Sequence, residues 1–215
     1  MASRHLPGKV AFESLLERDF LYLLEANGHL RAVKTQPRTV QLKVNGKKRP
    51  YTPDVEVEWR EGVDLPFGVS RAIFEVKPFE VLRAKFDELA PKLRAARAYF
   101  EEEGIAFKVV TDRYIRGPLL EPAKLVVEGL RAGEPSRDAG LAVRKAISDA
   151  GGTITLKALK DALTPAFEWP RQRDNAIWFW IGCGCLQAAD PLTICDDTPL
   201  QWWTSLTSIR DNIEC

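Results

Sequence analysis

The spacing of apolar and polar residues changes several times along the chain, and each change marks an element. Between Ser14 and Leu24 the apolar residues Leu16, Phe20, Leu23 and Leu24 recur at helical spacing. Ser14-x-x-Glu17 reads as a capping box that opens this helix. Gln36-Pro37 precedes a hairpin: Val40-Gln41-Leu42-Lys43-Val44 alternates, Asn45-Gly46 is a strong two-residue turn signal, and the chain returns from Tyr51 to Glu58. Asn45-Gly46-Lys47-Lys48-Arg49 is expected at its tip, either as a solvated loop or as a phosphate contact. A loop from Glu61 to Gly68 leads to the apolar strand Ala72 to Val76. Pro78 to Glu103 is mostly helical, with Leu82, Phe86 and Leu89 on one face and Leu93, Ala96, Tyr99 and Phe100 marking a second stretch. Pro91 divides the two or opens the second, and Gly104 suits a C-cap. Ile105 to Thr111 supplies a buried strand. Three strands, a helix and a further strand predict an α/β unit with a mixed sheet flanked by helices.

The pattern changes again after a helix at Lys124 to Ala132. Gly133-Glu134-Pro135-Ser136 has the composition of a hinge, so residues 1–133 are expected to form one domain and 134–215 another. Beyond it come a helix (Leu141 to Ala150), a short strand (Thr153-Ile154), helices at Leu156 to Leu163 and Arg171 to Gly182, and two short strands flanking Asp190-Pro191. That order is a winged helix-turn-helix layout. Its third helix offers Ala176, Ile177, Trp178, Phe179, Trp180 and Ile181 where a groove reader needs polar side chains, although Arg171, Gln172, Arg173 and Asn175 stand at its start. Five of six tryptophans, Trp169, Trp178, Trp180, Trp202 and Trp203, lie in this segment. Two or three suit a core, whereas Trp202-Trp203 suggests an apolar docking surface.

The net charge of +1 over 215 residues does not announce a nucleic-acid binder, but its distribution is uneven. Residues 1–133 hold 23 Lys/Arg against 19 Asp/Glu, and residues 134–215 hold 8 against 11. The acidic half is poorly suited to gripping phosphates, and the first half is only mildly basic. No apolar run reaches bilayer length and no signal-peptide core opens the chain, so a cytoplasmic protein is expected. Cys183, Cys185, Cys195 and Cys215 lack the spacing of a structural zinc knuckle and read better as reduced thiols. His5 and His29 are isolated, which gives no support to a histidine relay.

The sharpest chemical signal is Tyr51-Thr52-Pro53-Asp54 followed by Ile73-Phe74-Glu75-Val76-Lys77-Pro78. An acid, a gap, and then acid-x-Lys on an apolar strand is the layout of a metal-dependent phosphodiesterase centre. Strand alternation puts Glu75 and Lys77 on one face and Val76 on the other. Mg²⁺ takes oxygen ligands and needs only one or two protein carboxylates beside water and phosphate, and Mn²⁺ is the natural substitute. A turn at Pro53-Asp54 with a solvated Glu75/Lys77 pair is the plainer alternative. Glu17 on the first helix supplies a third acid, as a ligand or as a helix cap, with Glu13 one turn earlier as its rival.

Helical Glu, strand Asp and strand Glu-x-Lys is the order found across restriction-endonuclease-like nucleases. From about Phe12 to Ile115 the chain resembles TnsA, the endonuclease subunit of heteromeric cut-and-paste transposases. The resemblance rests on Ser14-Leu15-Leu16-Glu17-Arg18-Asp19-Phe20, Gln36-Pro37, Tyr51-Thr52-Pro53-Asp54, Phe74-Glu75-Val76-Lys77-Pro78 and Phe107-Lys108-Val109-Val110-Thr111-Asp112. It implies catalytic roles for Glu17, Asp54, Glu75 and Lys77, with Asp54, Glu75 and Glu17 toward Mg²⁺. It further implies cleavage at the 5′ ends of a transposon in double-stranded DNA. A DDE-type, integrase-like transposase subunit would cut the 3′ ends, and a regulatory ATPase would dock on the C-terminal domain. A stand-alone phage or restriction-type nuclease, and a non-catalytic recruitment adaptor, are the competing readings.

Overall fold

The computed structural model describes residues 12–188 and 194–202; His5, Asp190-Pro191, Trp203 and Cys215 lie outside the described residues. The chain packs as two units, Met1–Leu120 and Glu121–Cys215.

In the first unit, helix α1 (Leu15–Glu25) starts where the Ser14 hydroxyl accepts the Glu17 N–H, and it buries Leu16, Phe20, Leu21 and Leu24. Strands β1 (Leu30–Thr35), β4 (Val55–Trp59), β5 (Arg71–Val76) and β6 (Ala106–Val110) form one mixed sheet in the order β1-β4-β5-β6. The first two pairings are antiparallel, and β5 with β6 is parallel. A parallel pair needs a crossover, which α2 (Phe79–Ala84) and α3 (Phe86–Glu102) provide. Against one sheet face α1 packs its apolar stripe on Val33, Val57, Phe74 and Val76. Against the other, Ala96 and Phe100 of α3 meet Ile73 and Phe107. Strands β2 (Val40–Val44) and β3 (Lys47–Tyr51) make a separate two-stranded hairpin whose Val40, Leu42 and Tyr51 complete that second core. A short helix α4 (Asp112–Ile115) follows β6.

Three expectations need correction here, and one strand, β1, is not expected from the sequence at all. Strand β1 has no clean alternation in the sequence, because its register with β4 shifts between Leu30 and Ala32 and the bulge breaks the period of two. The hairpin turn is only Asn45-Gly46, both with positive φ (50° and 77°), so Lys47, Lys48 and Arg49 belong to a strand and not to a tip. That strand ends at Tyr51, and β4 is a new strand in the other sheet. The helical stretch breaks at Lys85, not at Pro91, which lies inside α3. Pro91 deprives the Asp87 carbonyl of its partner, but Asp87 is exposed and water can serve it.

The second unit contains α5 (Leu120–Ala132), α6 (Arg137–Asp149), β7 (Ile154–Thr155), α7 (Leu156–Leu163), a 3₁₀ turn (Thr164–Ala166), α8 (Pro170–Gly182), β8 (Leu186–Ala188) and β9 (Pro199–Trp202). Its three strands pair in the order β7-β9-β8, all antiparallel. Packing divides the chain ahead of the hinge-like Gly133-Glu134-Pro135-Ser136, because α5 is seated on α8. A Cβ at Gly129 would stand 2.6 Å from the Phe179 backbone nitrogen and 2.8 Å from the Asn175 carbonyl oxygen. A Cβ at Gly182 of α8 would stand 2.9 Å from the Val126 side chain and 3.0 Å from that of Leu130 on α5. Trp178 and Trp180 are core residues, and Trp169 is exposed. Trp202 is half-buried against the Trp180 ring and the Arg144 guanidinium, so it is partly structural. Arg173 is engaged by Asp174 and by Thr164 and the Lys160 carbonyl, which removes one cation from the start of α8. Among the described residues no helix is long and apolar enough to cross a membrane.

Candidate active site

Asp54 and Glu75 meet because β4 and β5 are antiparallel neighbours. The register Val55↔Phe74 leaves them next in line at the end of the sheet. Asp54 is fixed at both ends: its carbonyl accepts the Gln36 N–H at 2.8 Å, and its Oδ2 accepts the Val76 N–H at 2.6 Å. Glu75 lies in a central strand covered on both faces and is only 2% exposed. Its Oε2 accepts a 2.6 Å hydrogen bond from the Tyr51 hydroxyl. Its Oε1 lies 2.9 Å from Lys77 Nζ and 3.8 Å from Lys92 Nζ. Lys77 Nζ also stands 3.7 Å from Asp54 Oδ2, so one ammonium bridges the two carboxylates. Val76 points to the opposite core, as strand alternation requires.

The electrostatics follow from this crowding. Burial and the adjacent Glu75 charge push the Asp54 carboxyl up to about 6, against the pull of the Val76 N–H and Lys77, and the Glu17 charge adds to the rise. Burial pulls Lys77 downward, but Glu75 beside it and Asp54 outweigh that and hold its ammonium above the ordinary lysine value. Burial, then the Glu75 charge, raise Tyr51, which keeps its hydroxyl protonated as a donor. Two oxygen-only carboxylate donors at the end of the sheet, with Lys77 and Lys92 beside Glu75 and the charge of Glu17 nearby, fit a hard divalent cation such as Mg²⁺.

The helical acids sit differently. Glu17 turns to the start of its own helix, accepting from Ser14 Oγ and from the Glu13 N–H, each at 2.9 Å. Glu13 Oε1 accepts from Gln36 Nε2 at 2.6 Å, and the Gln36 N–H in turn holds Asp54. Among the described residues no three carboxylates, imidazoles or thiolates stand close enough to cage a metal. Asp54, Glu75 and Lys77 are therefore brought together, and Glu17 contributes to them through its charge while its carboxylate caps α1. The sequence assigns no role to Tyr51 or to Lys92. Tyr51 lies three residues before Asp54 in the same motif, but the Lys92 contact comes from tertiary packing alone.

A stability prediction follows from the raised Asp54 carboxyl. Its pKa is about 6 in the fold against 3.8 for the unfolded reference. The proton it retains favours the fold below about pH 4, and that contribution is lost as pH rises through 6. Asp54→Asn, measured by chemical denaturation in EDTA, should be more stable than the wild type at pH 8 by on the order of 1–3 kcal/mol. The gap should close toward pH 4. A less stable Asn variant at pH 8 would mean that Lys77 and the Val76 N–H more than offset the repulsion.

Residues 27–112 match the family described as TnsA-like endonuclease N terminal. Asp54, Glu75, Lys77, Tyr51 and Lys92 fall inside the match, and α1 with Glu13 and Glu17 falls outside it. No curated protein matches the chain.

Proposed function

We propose, on the match of residues 27–112 to the TnsA-like endonuclease N-terminal family, that this chain is a nuclease and the Mg²⁺-dependent DNA endonuclease subunit of a transposase. In this reading the first unit is a restriction-endonuclease-like domain that hydrolyses phosphodiester bonds at the 5′ ends of a transposon. The observation that carries the chemistry is the pair of carboxylates at the sheet end, Asp54 and Glu75, bridged by Lys77.

Asp54 and Glu75 would hold Mg²⁺, or Mn²⁺ in its place. Such an ion supplies Lewis acidity toward the phosphodiester and acidifies water. The rest belongs to the chain's own groups. Tyr51 and the Val76 N–H fix the two carboxylates so that little reorganisation accompanies reaction. Lys77, held protonated, orients the attacking water and offsets charge that develops on the phosphoryl oxygens. Glu17, through its charge, strengthens the cation-attracting field, and a water-mediated link to the ion would make it an outer ligand.

The second unit suits a recruitment role. Its α6-β7-α7-α8-β8-β9 order supports a winged-helix reading, while its charge of 8 cations against 11 acids over residues 134–215 disfavours DNA. We therefore assign it to protein docking, with a regulatory ATPase as partner and the exposed Trp169 as a candidate contact. A nuclease of this modest basicity needs a DDE-type transposase to place the scissile phosphate. Cleavage of a transposon-end duplex by the purified chain should rise at least a hundredfold when a DDE-type transposase subunit that binds that end is added. Rapid, site-specific cutting without that subunit would favour a stand-alone phage or restriction-type enzyme.

A further inference from the structure

The β2–β3 hairpin carries Lys43, Lys47, Lys48 and Arg49 and no acidic residue between Val40 and Tyr51. Residues 1–133 have four more cations than acids, so without these four side chains the count is 19 against 19. The net positive charge of that half therefore equals the charge of one hairpin. All four side chains are exposed. None forms an ion pair among the described residues, whereas Arg18, Arg31, Arg38, Arg71, Lys77 and Arg116 all do.

The register makes this arrangement costly to the fold. Lys43 stands directly across from Lys48, and like charges in that position repel. A two-residue turn with both φ values positive gives the ribbon little freedom to splay and relieve them. At its base the hairpin is tied to the site, because Tyr51 ends β3, packs in the core and donates to Glu75. Lys47 lies four residues from Tyr51 along β3, a reach of roughly 13 Å, or about four base-pair rises of a duplex.

We propose that this hairpin is a phosphate-binding arm, in which Lys43, Lys47, Lys48 and Arg49 hold the backbone of duplex DNA beside the phosphodiester at Asp54 and Glu75. The inference rests on the endonuclease reading above. The exposed positions of the ribbon carry cations and no aromatic or large apolar side chain, which suits sequence-independent contact with phosphates and not a protein-docking surface. The arm then supplies grip and orientation, and site selection falls to the partner.

The test is the salt dependence of binding to a fluorescent duplex, read by anisotropy in EDTA so that the DNA stays intact. Lys43→Gln/Lys48→Gln is compared with the charge-matched Lys34→Gln/Lys85→Gln, two exposed lysines off the hairpin. The hairpin variant should lower the slope of log affinity against log salt by roughly two, and the control should leave it within about half a unit. Thermal stability of the hairpin variant should hold or rise, because a repulsive pair has gone. If that variant does not fold, Lys47→Gln/Arg49→Gln serves in its place with the same expected slope. Equal slopes for hairpin and control variants overturn the arm while leaving the nuclease reading intact. No binding by the wild type at any salt also overturns the arm, and the nuclease reading then stands or falls on the cleavage assay with the transposase present.

Discussion

Glu75→Ala and Asp54→Ala should each lower DNA cleavage in Mg²⁺ by a factor of 10³ or more while the protein remains folded. An interaction that acts on the reacting phosphate is felt as transition-state stabilisation, and about 4 kcal/mol corresponds to that factor. The two losses have different physical origins. Without Glu75, the Tyr51 hydroxyl and the Lys77 and Lys92 ammonium groups lose their shared acceptor, so charge balance fails at the centre of the site. Without Asp54, the Val76 N–H loses its acceptor and the second carboxylate is gone. Glu75→Gln separates shape from charge, since it keeps an acceptor for Tyr51 but not the anion, and its activity should fall nearly as far. Glu17→Gln provides the contrast. Its amide oxygen can still accept the Glu13 N–H while its amide nitrogen donates to Ser14 Oγ, so the cap is kept in shape and the charge is lost, and normal stability with lost activity would make Glu17 a ligand. Retained activity would leave it a cap and turn attention to Glu13.

The largest loss of stability is expected at Gly129. On helix propensity alone, Gly129→Ala should stabilise α5 by about 1 kcal/mol. The packing opposes this, because the new Cβ would meet backbone atoms of α8 at 2.6 to 2.8 Å, and backbone cannot step aside as a flexible side chain can. Overpacking of this kind costs about 1–3 kcal/mol, so the clash wins and Gly129→Ala should destabilise the second unit. Gly129→Val, with two further carbons in the same gap, should cost more. Chemical denaturation followed by hydrogen exchange on α5 and α8 reads the effect. A net stabilisation by Ala would mean that the two helices do not approach this closely.

The features legible in the sequence were those carried by local pattern. Helix α1 announces itself by its cap and apolar spacing, and β5 by its apolar run. The Asp54, Glu75 and Lys77 cluster was legible because it uses two short motifs whose strands become neighbours. What could not be read was set by tertiary pairing. Strand β1 hides behind a bulge, and the hairpin return was merged with β4 because both are extended and nothing local says that the chain changes sheet at Thr52 and Pro53. The partners of Glu75 illustrate the same limit. Lys92 is one of several cations on a helix surface, and only the packing of α3 singles it out. The first unit ends at Leu120 and not at the hinge-like Gly133 segment because Gly129, unremarkable in sequence, lets α5 seat on α8.

The central claim is that Asp54, Glu75 and Lys77 form a cation-dependent phosphodiesterase centre acting on DNA. The direct measurement is strand cleavage of a transposon-end duplex by the full chain, together with a DDE-type transposase subunit that binds that end, in Mg²⁺ and in EDTA. Wild type, Asp54→Asn and Glu75→Gln are run side by side with that same transposase. Breaks at the 5′ transposon ends in Mg²⁺, none in EDTA, recovery with Mn²⁺ and near-total loss in both variants are the predicted results. Breaks at those ends that persist in EDTA, or that either variant still makes at the wild-type rate, would contradict the account.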